Sequence, residues 1–256
     1  MAATNPQAAV SSRTLVRGLS LLEIVASTPR GIGVTEVAEA ADLDKGTASR
    51  LLATLRQMGY VQQRGADRRY VLGSRCLWLA HEYQAGQEEL TVRARPHLAA
   101  LRDLSGETIH LAIREGLYMV FVAQEEPDRS VRVQSAVGSR LPLHRTAMGR
   151  AILATMPEQD RELLLTQIRD DVESTGGNVD FDEIRKDIID AKARGWAAVD
   201  RHDDVTRIAA AILDADNEPI AAITLSGPSY RLDPEVDRMG AEVVATAHAV
   251  SEALLR

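Results

Sequence analysis

Lys45, Thr47, Ser49 and Arg50 stand within six residues of one another, with Gly46 among them. Side chains of these types do one kind of chemistry well. A guanidinium or ammonium pairs with guanine edges or phosphate, and a hydroxyl takes phosphate or a base edge. To act together they must project from the N-terminal, outward end of one helix. Ala48, Leu51, Leu52 and Leu55 supply the buried side of such a helix, which starts near Asp44 or Lys45 and stops near Gly59. Its first N–H groups are also suited to a phosphate. Thr35 is placed to cap a shorter helix ahead of it, running through Val37 and Ala38 to Ala41. Ala38 is the small residue that lets two helices cross closely, Asp42 falls at the turn, and Leu43 follows it. That turn position has a left-handed backbone. Glycine suits it best, and aspartate tolerates it better than most residues do. The arrangement is a helix-turn-helix.

The surrounding elements position this unit. Leu15, Leu19, Leu22 and Ala26 give one apolar helix face, ended by Pro29 and Gly31. Tyr60–Gln63 and Tyr70–Gly73 are two β-prone runs around a polar loop, a hairpin that would act as a wing and carry Arg64, Arg68 and Arg69 toward the DNA backbone or minor groove. Residues 1–12 read as a loose, disordered tail, 13–75 as the winged DNA-binding domain, and 76–90 as a linker helix. Beyond it a helix leads to Gly106. Strands are expected at 108–113, 118–124 and 130–136, and helices at 146–156, 158–168 and 181–194. Strands at 208–214 and 219–226 and a helix from Pro234 to Leu255 close the chain. Strands in hairpin-like pairs flanked by helices predict an α+β class with a helix-covered antiparallel sheet over residues 91–256.

Charge follows the same division. The net charge is −7, yet residues 1–86 hold 10 Lys and Arg against 7 Asp and Glu, a balance of +3, while residues 87–256 hold 20 against 30, a balance of −10. A small positive balance on the reading head gives one protomer little non-specific affinity, so useful binding should need two or more heads on one operator. Only Lys45, Lys186 and Lys192 of the 30 basic residues are lysines, a bias that reads as the mark of a GC-rich genome. One cysteine excludes an internal disulfide framework and multi-cysteine metal sites. No run of ~18 apolar residues and no basic-then-apolar leader is present, which predicts a cytoplasmic protein with no membrane partner.

An enzyme would need a nucleophile, base or metal constellation. Cys76 beside Leu77 and Trp78 reads as a small apolar residue rather than a reactive thiol. His144 near Thr146 makes a weak triad at best, and His110 on its strand reads as a core or interface histidine. No two histidines have metal-ligand spacing and no phosphate-binding glycine pattern occurs, so neither catalysis nor a cofactor is expected.

The sequence resembles the IclR family of bacterial transcription regulators over about residues 13–254. The resemblance runs through Val37-Ala38, Leu43 to Leu55, Gly59-Tyr60-Val61, Tyr70 to Gly73 and Arg95-Pro96-His97-Leu98. It continues in Gly106 to Leu111, Gly138 to His144, Thr146 to Ala154, Ile208-Ala209-Ala210 and Ser226-Gly227-Pro228. It implies a winged helix-turn-helix, a linker helix and a GAF-like effector domain that also assembles the protein. It further implies a double-stranded operator, a small carboxylate or aromatic effector, and dimers or dimers of dimers. Residue by residue it points to Ser130, Val133, Ala147, Met148, Asp200, Arg207, Thr224 and Ser226 around the effector. Gly195-Trp196 matches the usual Gly-Tyr, and Val199 replaces the first of two acidic residues. The stretch His202-Asp203-Asp204-Val205 is shorter than the common form, and Arg207 stands where cysteine is frequent. Arg207 either faces the effector and holds a carboxylate, with Thr224 and Ser226 donating hydroxyls, or turns away or pairs with Asp200 or Asp203. The alternative to a regulator is a ligand-binding or interaction module that no longer binds DNA.

Overall fold

The computed structural model describes residues 12–86, 88–199 and 203–255. Apart from Ser12, the expected tail lies outside them. The chain divides into two compact units, Met1–Gly86 and Gln87–Arg256.

In the first unit, α1 (Arg13–Ala26), α2 (Val34–Ala40) and α3 (Lys45–Gln57) precede the hairpin β1 (Val61–Arg64) and β2 (Arg69–Leu72), with α4 (Arg75–Gly86) after it. Leu21, Val25, Ile32, Val37, Leu52, Val61 and Tyr70 form one small core. The expected face of α1 is corrected here. Leu21 and Val25 are buried, whereas Leu15 and Leu19 are 62% and 51% exposed. The helix carries two apolar stripes, and the core uses the one that the simple spacing did not select. Ile32 exchanges backbone hydrogen bonds with Tyr70 (3.0 and 2.8 Å), so the loop before α2 adds a bridge to the wing.

The second unit is built on one antiparallel sheet of order β5-β4-β3-β8-β7-β6. Its strands are β3 (Thr108–Glu115), β4 (Tyr118–Glu125), β5 (Arg140–Pro142), β6 (Ala197–Ala198), β7 (Val205–Leu213) and β8 (Pro219–Pro228). Strand alternation gives the two faces different characters. Ile109, Leu111, Ile208, Ile212, Ile223 and Leu225 pack against α5 (Glu88–Ser105) and α10 (Val236–Leu254). Ala112, Ala209, Ala211 and Ala222 face the other way and meet α6 (Ala147–Thr155), α7 (Glu158–Ser174) and α8 (Phe181–Arg194). The alanines let α6 lie so close that its residues Ala147–Ala154 are all buried.

The linker helix expected at 76–90 is helical where described, as α4 up to Gly86 and as the start of α5 from Glu88, Gln87 lying outside the described residues. Two expectations change. Residues 130–136 form no strand. Their alternation is real, but side chains satisfy the backbone: Arg231 donates to the Val131 carbonyl (3.0 Å) and Thr108 to that of Val133 (2.8 Å). The sheet edge is instead taken by β5. The expected last helix is α10 (Val236–Leu254), preceded by α9 (Ser229–Leu232) and a 3-10 turn at Asp233–Glu235 that holds Pro234. Finally, α7 runs on past 168 because Val172 continues its buried stripe.

Candidate functional site

The turn between α2 and α3 closes as the sequence requires. Asp42 has a φ of +50°. Leu43 N–H donates to Ala38 (2.9 Å) and Asp42 N–H to Glu39 (3.2 Å), the paired bonds of a Schellman ending. Asp44, not Lys45, is the cap of α3 and accepts from Thr47 N–H at 2.8 Å. That contact with Thr47 holds the Asp44 carboxyl below its usual range. Lys45, Gly46, Ser49 and Arg50 are exposed and Thr47 is half-buried, while Ala48 and Leu52 turn inward. Arg50 donates to the Thr47 hydroxyl at 3.0 Å, which pre-orients its guanidinium on the outer face.

One expectation for this surface is corrected: Thr35 does not cap α2. Gly33 occupies that place, and the Glu36 carboxylate accepts its N–H at 2.6 Å. Thr35 is exposed in the first turn. Arg64 and Arg68 are exposed at the wing, but Arg69 is drawn inward. It donates to the Gly31 carbonyl (2.9 Å) and pairs with Glu36 (3.0 Å), which ties the wing to α2. Cys76, half-buried, donates its thiol to the Tyr60 carbonyl (3.4 Å), and burial pushes its pKa up.

In the second unit, β3, β8 and β7 place the residues of one sheet face in two rungs. Thr108, Ser226 and Arg207 share one, and His110, Thr224 and Ala209 the next. Above them α6 begins, capped by Thr146, whose hydroxyl accepts from Gly149 N–H at 2.9 Å. By helix geometry the N–H groups of Ala147 and Met148 find no carbonyl within α6. Between these parts lies a cavity of about 130 Å³. Val133, Ala147, Met148, Arg207, Thr224 and Ser226 line it as expected. Ser130 does not; it is exposed on the segment that forms no strand. Asp200 lies outside the described residues.

Arg207 takes the Asp203 pairing while remaining in the cavity wall. Its guanidinium grips Asp203 with two bonds (3.0 and 2.8 Å) and donates to the Val205 carbonyl (3.0 Å). These bonds use three of its five N–H donors. Sequence reading missed His110, Phe121, Ser135, Leu141 and Thr146 in the wall. For His110 the signal was present: it alternates with Thr108 on the strand face that carries the other polar residues. It is 1% exposed and burial holds its imidazole down at about 4, so it is neutral near pH 7. The Ser135 backbone, Glu126 and Gln124 favour its charged form, but less than burial opposes it. Neither ring nitrogen reaches a partner in hydrogen-bonding geometry, and the Thr224 hydroxyl is likewise unpaired.

A larger cleft of about 690 Å³ opens beside Tyr118, His144, Arg150 and Asp171. Its buried Arg150 is already spent on Asp187 (3.0 Å) and the His144 carbonyl. Burial there lowers the pKa of His144. The unpartnered buried side-chain atoms among the described residues belong to His110 and Thr224, and both face the smaller cavity. The smaller cavity is therefore the candidate ligand site. No group of three or more His, Cys, Asp or Glu suited to a metal occurs among the described residues, and no helix there is long and apolar enough to cross a membrane.

Comparison with known proteins identifies both units. Residues 84–252 match the bacterial transcriptional regulator IclR C-terminal family, and residues 14–65 match the IclR helix-turn-helix domain. The chain belongs to the IclR family. The Escherichia coli K12 transcriptional repressor IclR is 30% identical over 93% of this chain and 89% of its own length. The repressor AllR of the same strain is 31% identical over 97% and 93%. A crystal structure of an IclR homologue from Microbacterium hydrocarbonoxydans, in complex with 4-hydroxybenzoate, superimposes with a TM-score of 0.73. At 23% identity over 94% of this chain and 99% of that one, it shares the fold. This IclR-family chain is accordingly a DNA-binding transcriptional regulator.

Proposed function

We propose that this regulator's operator binding or activity is modulated by a small anionic metabolite, a carboxylate or aromatic acid, held in the 130 Å³ cavity. The observation that carries the reading is the meeting of Arg207 with the start of α6 over a wall of buried, polar strand residues. A guanidinium and free helix N–H groups are both complementary to a carboxylate. The homologue crystallised with 4-hydroxybenzoate supports the same ligand class. Replacing Arg207 by Ala is expected to weaken acid binding by about 1.5–3 kcal/mol, roughly 10- to 150-fold, in calorimetry. Unchanged affinity would remove Arg207 from the site.

On the head, Lys45, Gly46, Thr47, Ser49 and Arg50 form the reading surface, with Thr35, Arg64 and Arg68 contacting the backbone and Arg69 acting from behind to hold the wing. Support comes from the exposed N-terminal end of α3 and the orienting bond from Arg50 to Thr47. Arg50→Ala, measured on an operator recovered by selection from randomised duplexes, is expected to cost ~1–3 kcal/mol at one base pair and to relax its identity. Equal loss on every sequence would reassign Arg50 to phosphate.

The working form is a homodimer or dimer of dimers on double-stranded DNA in the cytoplasm. Its support is exposed apolar surface on the first unit: Leu15, Val16 and Leu19 on α1 and Leu77 and Leu79 on α4.

A further inference from the structure

His110 and Thr224 are neighbours across β3 and β8, directly opposite in register. Side chains so placed stand about 5 Å apart at Cβ. Both are buried, at 1% and 3% exposure, both line the cavity, and neither has a hydrogen-bond partner. Buried polar groups are almost always paired, because an unpaired one loses water and gains nothing. Three such atoms facing one cavity are open to a partner that enters it.

We propose that His110 and Thr224 form a recognition element for a second polar group on the effector, a neutral hydroxyl, so that the regulator reads hydroxylated acids and discriminates against their apolar analogues. This rests on the acid-binding reading of the same cavity. The chemistry of the pair sets the class. A neutral imidazole offers one N–H donor and one bare nitrogen acceptor, and the threonine hydroxyl both donates and accepts. A ligand hydroxyl, which also does both, satisfies the two residues together. A carboxylate only accepts, and would leave the bare ring nitrogen unpaired. The acid end lies one rung away at Arg207 and Ser226. Two residues along a strand span ~7 Å, which sets the separation of carboxylate and hydroxyl. Phe121, stacked on His110 with ring centroids 4.4 Å apart, completes an apolar wall beside the hydroxyl position and fixes the imidazole plane.

The test uses the full chain and matched probes: 4-hydroxybenzoate against 4-methylbenzoate, and 4-hydroxybutanoate against pentanoate. Calorimetry on the wild type should show a preference of at least ~10-fold for the hydroxyl member of one pair. Thr224→Val and His110→Phe should reduce that preference toward unity, whereas Arg207→Ala should weaken both members alike and keep it. Ligand-free Thr224→Val and His110→Phe should melt at or above the wild-type temperature, since an apolar group replaces an unpaired one. A fall of several degrees in both would mean that the groups are used in the resting fold, and would overturn the proposal. Acids that bind without preference for the hydroxyl would overturn it and leave the acid reading standing. Failure of all four probes to bind would overturn both.

Discussion

Replacing Leu52 by Ala is expected to abolish DNA binding while leaving acid binding by the second unit intact. Leu52 is fully buried in a core that consists of seven buried residues from α1, the α1–α2 loop, α2, α3 and the wing. Removing a buried leucine side chain costs about 2–5 kcal/mol, because transfer energy is lost and a cavity remains. A core this small supplies stability of ~3–5 kcal/mol, so the substitution consumes most of it. The loss falls on α3, which carries Lys45, Gly46, Ser49 and Arg50 on its exposed side. Fluorescence titration of a mixed-sequence duplex at low salt should detect no binding, while calorimetry with an acid probe matches the wild type. DNA affinity within ~3-fold of the wild type would show that the head tolerates the cavity and that its core is not what positions the reading helix.

The second large effect concerns Glu107. Its carboxylate is 1% exposed and accepts from Arg129 (2.8 Å) and from Arg231 (2.6 and 2.9 Å). These bonds hold the start of β3, the irregular segment 126–139 and α9 together. Arg231 also fixes the Val131 carbonyl, two residues before Val133 in the cavity wall. Gly227 leaves the room this requires, since a Cβ there would stand 2.5 Å from a Glu107 oxygen. Removing one partner of a buried ion pair costs ~3–5 kcal/mol. The lower figure applies here because Arg129 and Arg231 are 43% and 22% exposed and can return to water. Glu107→Ala is accordingly expected to cost ~3 kcal/mol, lowering the melting temperature of the second unit by about 6–12 °C. The freed segment should also weaken acid binding. A melting temperature within a degree or two of the wild type would show that the cluster is dispensable.

Local rules in the sequence settle the reading head. The crossing alanine at Ala38, the left-handed Asp42 and the stripe through Ala48 and Leu52 each constrain backbone or packing within a few residues, and each is found where spacing places it. Strand alternation likewise divides β3, β7 and β8 into a branched aliphatic face and a small or polar one. What depends on partners distant in the chain was not legible. Val131 and Val133 alternate like a strand, yet Arg231 and Thr108 satisfy their carbonyls with side chains. Two stripes on α1 satisfy the same periodicity, and only packing selects Leu21 and Val25. Arg69 is basic wherever it points, and only the fold shows that Gly31 and Glu36 hold it against α2. The cluster of Lys45, Thr47, Ser49 and Arg50 was therefore determined by sequence alone, because one helix suffices to present it. The cavity was decided by tertiary structure. Register across three strands aligns His110 with Thr224 and Thr108 with Ser226 and Arg207, and the start of α6 closes over them. Hydrogen bonds left unmade in that enclosure, at His110 and Thr224, can be seen only once every neighbour is in place.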